Sequence, residues 1–169
     1  MKFFTRTWHG GDMSDERVDD VRTAYQSHIA TILSELPKAF RSFVQTVSIH
    51  DALVRAIRLD RGAAMLELEL RVGDQQAGYF DLSIVYRNAQ LDHVDSRLLA
   101  KIAGGDGFEA LYDEADLAPG AGYEHRWLWW PYQELNIRFT EFEYAVTPRL
   151  SRTFDRVANP FVEIVAPVG

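Results

Sequence analysis

The sequence predicts an α+β domain: an antiparallel β-meander of about six strands with an N-terminal helix packed on one face. Three observations lead there. Apolar residues recur at spacings of three and four from Val18 to Leu36, the period of a helix with one buried stripe. From Asp51 the period drops to two, most regularly over residues 64–72. The segments on either side of Pro131 are rich in aromatic residues, which favour strands. Short turns between these strands require antiparallel pairing, because parallel neighbours need long crossovers. The 169 residues fit a single domain, 1–169.

Residues 3–8 alternate as a short first strand that ends at Trp8, before Gly10 and Gly11. Ser14 is placed to cap the following helix, over 15–36, whose acidic first turn suits the helix dipole. Its apolar face is Val18, Val21, Tyr25, Ile29, Ile32 and Leu36, with His28 at the boundary. Pro37 breaks it, and Ala39, Phe40, Phe43, Val44 and Val47 imply a further short helix.

Residues 51–60 read as a strand, and Arg61-Gly62 as a turn. Ala64, Leu66, Leu68, Leu70 and Val72 then face inward, with Met65, Glu67, Glu69 and Arg71 outward. After a hairpin loop at 73–76, Phe80, Leu82, Ile84 and Tyr86 mark the inner face of a third strand. Asp95 or Ser96 caps a short helix through Leu98, Leu99 and Ile102, ended by Gly104-Gly105. Residues 108–117 form a strand with polar teeth, and 119–122 the next turn. Two aromatic strands follow, joined at 131–134. Leu135, Ile137 and Phe139 share one phase, whereas Phe142, Tyr144 and Val146 share the other. A bulge near Thr140-Glu141, or a bend from one layer to another, restores a common apolar face. Phe154, Pro160, Phe161, Val162, Ile164 and Val165 suffice to lay a last segment against the body. The expected core comprises Val21, Ile29, Ile32, Leu66, Leu68, Leu70, Leu82, Ile84, Trp127, Ile137 and Phe139.

Composition narrows the function classes. The chain is 47% hydrophobic, enough for a core without staples, and has no cysteine, which excludes thiol catalysis, disulfides and Cys-based zinc sites. No apolar run reaches signal-peptide or membrane-span length, so a soluble cytoplasmic protein is expected. A net charge of −7 argues against nucleic acid as a partner. Acidic residues concentrate at 12–20 and 104–117, and Arg149, Arg152 and Arg156 gather near the C-terminus. The acidic stretches are either solvated faces or a docking surface for a basic partner.

Catalytic motifs are absent from the sequence. The histidines His9, His50 (beside Asp51), His93 (between Asp92 and Asp95) and His125 (after Glu124) lack the spacing of a helical zinc motif, so no metal and no cofactor are expected. Asp113 and Glu114 are adjacent on a strand and point to opposite faces, whereas Glu114 and Asp116 share one. There is no nucleophile elbow, and Gly104-Gly105-Asp106-Gly107 lacks the Lys-Ser/Thr of a phosphate loop. The aromatic run of Trp127, Trp129, Trp130 and Tyr132 has too few cations around it for a base-stacking platform.

Three fragments carry a resemblance: Ile49 to Val54, Leu111 to Leu117, and Tyr123 to Leu128 followed by Glu134 to Phe139. In this order they resemble small uncharacterised bacterial proteins that pair an N-terminal helical segment with an antiparallel meander and are discussed as immunity-type partners of secreted toxins. The resemblance covers residues 49–146 and implies no catalytic residues. The expected function is therefore a non-catalytic cytoplasmic protein-binding module, such as an immunity protein neutralising a basic toxin. Its contact residues are Asp113, Glu114, Asp116, Trp130 and Tyr132, with carboxylates steering and aromatics anchoring. Trp130 has a competing role, closing the core against the N-terminal helix. The alternative is a small-ligand-binding protein or hydrolase with a pocket at one end of the sheet, lined by Glu114, Asp116, Tyr123 and His125.

Overall fold

A computed structural model describes residues 1–149, except 12, 75, 77, 91–93 and 105–107, together with 161–165. Among the described residues four helices and eight strands follow in chain order: α1 (Arg6–His9), α2 (Asp15–Ile32), α3 (Lys38–Thr46), β1 (Ala52–Asp60), β2 (Met65–Asp74), β3 (Gly78–Arg87), α4 (Ser96–Gly104), β4 (Glu109–Leu117), β5 (Tyr123–Trp129), β6 (Gln133–Phe139), β7 (Glu141–Pro148) and β8 (Phe161–Val165). The class is α+β with an antiparallel sheet, as the alternation implies, but the sheet has eight strands in place of six.

The sheet path runs β6-β5-β4-β1-β2-β3-β7, with β8 beside β1. It consists of two meanders, β1–β3 and β4–β6, joined where Ala52 and Leu53 pair with Ala110 and Glu109. Thr140 alone separates β6 from β7, yet these strands lie at opposite ends of the path. The phase reversal at Thr140 is thus a corner at which the chain leaves one end of the sheet for the other. Two bonds tie the ends together: Gln90 N–H donates to the Arg138 carbonyl (2.8 Å) and Thr140 N–H to the Arg87 carbonyl (3.3 Å). At this corner Tyr86 packs on Phe139 and Phe142, with ring centroids 5.1 and 5.4 Å away. Gly122 enters β5 with φ +95°, and a Cβ there would lie 2.6 Å from the Phe139 carbonyl oxygen, so β5 and β6 approach too closely for any side chain. Strand β8 pairs in parallel with β1, from Ala56↔Phe161 to Asp60↔Val165, an exception to the antiparallel rule.

The helical start differs from expectation in two ways. Residues 3–8 do not form a strand: Thr5 caps the one-turn helix α1 through its side chain, which accepts from Trp8 N–H at 3.3 Å. Helix α2 ends at Ile32, short of the expected Leu36, and Ser14 at its N-cap makes no side-chain cap bond. Only Ile32 of α2 is buried, while Val21 and Ile29 are half-buried. The core beneath the helices is filled instead by Phe40 and Phe43 of α3 and by Leu36. The other expected core residues are buried, and Trp127 stacks on Trp129 with centroids 5.4 Å apart. Burying each such side chain contributes about 1.5–3 kcal/mol.

Helix α2 has a second task. Strand β4 pairs with β1 at only two positions, leaving much of that edge without a strand. The Tyr25 hydroxyl covers part of it by accepting the Ala115 N–H at 3.0 Å. Helix α4 packs against β1 and β8. The Asp95 carboxylate, by accepting the Arg97 N–H at 2.8 Å, serves its N-terminus as expected.

Candidate functional site

The β4–β5–β6 meander carries polar side chains on both faces, and the two faces differ. On the outer face, cross-strand register sets Glu114 opposite Arg126 and Asp116 opposite Glu124, with Arg126 opposite Asn136 and Glu124 opposite Arg138. Glu114, Asp116, Glu124 and Arg126 are all buried. Arg126 lies 3.0 Å from Asp116, 3.6 Å from Glu114 and in contact with Glu124. Arg138 and Asn136 also donate to Glu124, at 2.9 and 2.8 Å. The cover is the N-terminal segment. The backbone N–H groups of Lys2, Phe3 and Phe4 all donate to the Glu114 carboxylate at 2.7 Å, and the Lys2 ammonium meets Asp116. His28 of α2 approaches Asp116 at 3.1 Å. Burial pushes the Asp116 carboxyl up, but the Lys2 and Leu117 hydrogen bonds, with the Lys2 and Arg126 charges, outweigh it and hold the group below its usual range.

This geometry corrects the expected contact surface. Glu114 is fully buried and Asp116 is 4% exposed, so neither can face a partner. Strand β4 does keep an open edge beyond its two pairs with β1, but Tyr25 covers part of it and the Glu114 and Asp116 side chains are turned away from solvent. A charged row on a strand ordinarily marks a solvated face; here the N-terminal segment and α2 lie on it.

On the inner face a β-bulge between Ala110 and Tyr112 reverses the phase of β4 and turns Asp113 toward the core side. The Asp113 carboxylate lies 2.8 Å from His125 Nε2, His125 Nδ1 lies 2.7 Å from the Tyr86 hydroxyl, and Trp127 Nε1 lies 3.2 Å from the same hydroxyl. Indole N–H can only donate and a carboxylate can only accept, so Trp127 donates to Tyr86 and His125 Nε2–H to Asp113; in that neutral tautomer Nδ1 accepts from the Tyr86 hydroxyl. His125 and Trp127 are fully buried. Desolvation drives the Tyr86 phenol well above its ordinary pKa, so it is a neutral donor.

Asp113 also lines a cavity of about 250 Å³ between the N-terminal segment, α2, α3 and β4. Its aromatic wall is Phe4, Tyr25 and Tyr112, with ring centroids 4.8 Å (Phe4–Tyr25) and 5.4 Å (Phe4–Tyr112) apart. His50 stands at one side, 3.2 Å from the Tyr112 hydroxyl and 2.8 Å from Asp51. A larger open depression of about 570 Å³ has a mixed-charge lining that includes Asp51, Arg71, Asp74 and Glu109.

The third polar region is the tip of the β5–β6 hairpin. Trp130 is 40% exposed, and its backbone N–H donates to the Glu109 carbonyl at 2.8 Å. The Trp130–Pro131 bond is cis, and Tyr132 has φ +64°. Tyr132 contacts Trp130 edge-on at 5.0 Å, carries the Arg6 guanidinium 5.0 Å above its ring, and places its hydroxyl 3.4 Å from His9 Nδ1. Trp130 therefore stands at the surface beside α1 and does not close the core.

The four residues of the alternative pocket do not converge. Glu114 and Asp116 lie on the outer face, and His125 and Tyr123 on the inner one, where Tyr123 packs 5.9 Å from Phe139. Among the described residues no three His, Asp or Glu side chains gather as a metal site; the Asp92-His93 candidate lies outside them, as do Asp106, Arg152 and Arg156. No helix among the described residues is long and apolar enough to cross a membrane. Tyr86, Tyr25 and Lys2 were not anticipated. A signal existed for Tyr86 and Tyr25, because a tyrosine on an apolar face needs a partner for its hydroxyl, and none existed for Lys2. No protein-family model, curated protein or solved structure matches this chain.

Proposed function

We propose that this chain is a non-catalytic protein-binding domain, of the immunity type that neutralises a basic secreted toxin in the cytoplasm. The observation that carries it is the aromatic corner at Trp130 and Tyr132. A large ring, 40% exposed and flanked by Tyr132, Arg6 and His9, has the composition of an interface anchor. The net charge of −7 supports steering toward a basic partner. The non-catalytic part is supported by His125, whose two ring nitrogens are committed to Asp113 and Tyr86 inside the core.

A pull-down against the products of neighbouring genes at low salt tests the proposal. A retained basic partner that loses about 2 kcal/mol or more of affinity with Trp130→Ala is the expected result. If no partner is retained, or Trp130→Ala binds it as the parent does, the proposed anchor fails.

A further inference from the structure

We infer that the cavity bounded by Phe4, Tyr25, Tyr112 and Asp113 binds a protonated primary amine on an apolar stem, with Asp113 as its counter-ion. One Asp113 oxygen is held by His125 at 2.8 Å, while the other has no partner among the described residues. No Lys or Arg among those residues pairs with this carboxylate, whose side chain is 21% exposed. The outer-face carboxylates, by contrast, are met by Arg126, Lys2 and backbone N–H groups.

The occupant's chemistry follows from what each class of ligand would meet. An anion would approach Asp113 with no cation beside it. A neutral apolar molecule would strip water from the free oxygen and return nothing, which is costly for an ionised carboxylate. An ammonium group pairs with that oxygen, and the aromatic wall adds cation–π attraction. Val44 and Val47 of the α3 segment supply apolar surface for the stem. The volume, about 250 Å³, falls below the usual range for drug-sized ligands, which suits a short alkylamine or a lysine side chain and excludes a nucleotide. Burial, followed by the charge of Asp113, raises the Tyr25 phenol, so Tyr25 stays neutral and adds no charge to this wall.

The test is calorimetric titration of the intact chain with n-butylammonium chloride and with 1-butanol, its neutral counterpart. The parent should bind the amine about ten-fold or more tightly than the alcohol, a difference near 1.4 kcal/mol. Asp113→Asn should abolish that preference, and Val47→Phe, which fills the stem space, should weaken both. Equal binding of amine and alcohol, or a preference that survives Asp113→Asn, overturns the proposal. Should Asp113→Asn fail to fold, amide chemical-shift changes in the parent decide instead: amine-induced changes centred on Tyr25, Tyr112 and Asp113 support the site, and changes centred elsewhere overturn it. N-acetyl-lysine methylamide separates the two sources of the amine. Binding with the same Asp113 dependence assigns the cavity to a partner's lysine and rests on the protein-binding function; binding of butylammonium alone assigns it to a free amine. Trp130→Ala should leave these titrations unchanged, so failure of this site and failure of the aromatic corner are distinguishable.

Discussion

The two faces of the β4–β5 hairpin both bury ionisable groups, but they bury them differently. Outside, Glu114, Asp116 and Glu124 are met by Arg126, Arg138, Lys2 and three backbone N–H groups. Inside, a single chain of hydrogen bonds from Trp127 through Tyr86 and His125 ends at a carboxylate with one oxygen unmet among the described residues. The difference teaches that burial of charge alone does not mark a functional group. Saturation of the carboxylate separates the cases. The outer carboxylates are met on every side and fasten the fold, although Arg126 Nη1 among them is buried without a hydrogen-bond partner among the described residues. An unsaturated carboxylate at a cavity retains the capacity to bind.

Arg126→Met breaks this comparison most severely. It removes the cation that lies against all three buried carboxylates, leaving them Lys2, Arg138 and backbone N–H groups, and should cost about 3–5 kcal/mol in urea unfolding. Glu114→Gln should cost less, about 1–3 kcal/mol, because an amide offers one acceptor oxygen where the carboxylate now receives three N–H groups. Asp116 sharpens the comparison through pH. Its carboxyl is held below the ordinary value, so its contribution is fully present above about pH 4 and is lost as pH falls through the lowered folded-state pKa. Melting temperatures measured across that acidic window should decline less steeply for Asp116→Asn than for the parent. Trp130→Ala should have the smallest effect, under about 1 kcal/mol, because the ring stands largely outside the core. A loss of several kcal/mol would mean that the corner is structural.

Much of the sheet was legible because its signals are local. The alternation from Met65 to Leu70, the turn at 119–122 and the phase reversal at Thr140 each follow from a few adjacent residues. Ala64, by contrast, lies in the preceding turn with φ +49°, and Arg71, expected outward, is buried. The site was legible only in fragments. Tyr132 stands in the expected joint of the hairpin, Trp130, read as an outward strand residue, stands beside it at the tip, and Glu114 and Asp116 share a face. What covers that face comes from more than a hundred residues away in Lys2 and Phe3, a contact no periodicity encodes. The bulge at Leu111, which turns Asp113 inward, arises from pairing with β5 and leaves no glycine or proline as a marker. The parallel pairing of β8 with β1 is likewise tertiary, since Phe161 to Val165 contain no residue that selects orientation.

Chemical denaturation of Glu114→Gln beside Asp113→Asn tests the distinction between saturated and unsaturated carboxylates most directly. The amide introduced by Asp113→Asn would keep an oxygen to accept the His125 N–H, and its NH2 would take the place of the partly exposed free oxygen, where water can accept from it. The amide introduced by Glu114→Gln would leave backbone N–H groups and Arg126 short of an acceptor. The account predicts that Glu114→Gln lowers the unfolding free energy by more than Asp113→Asn, with a gap of about 1 kcal/mol or more. An Asp113→Asn loss equal to or greater than that of Glu114→Gln would contradict it.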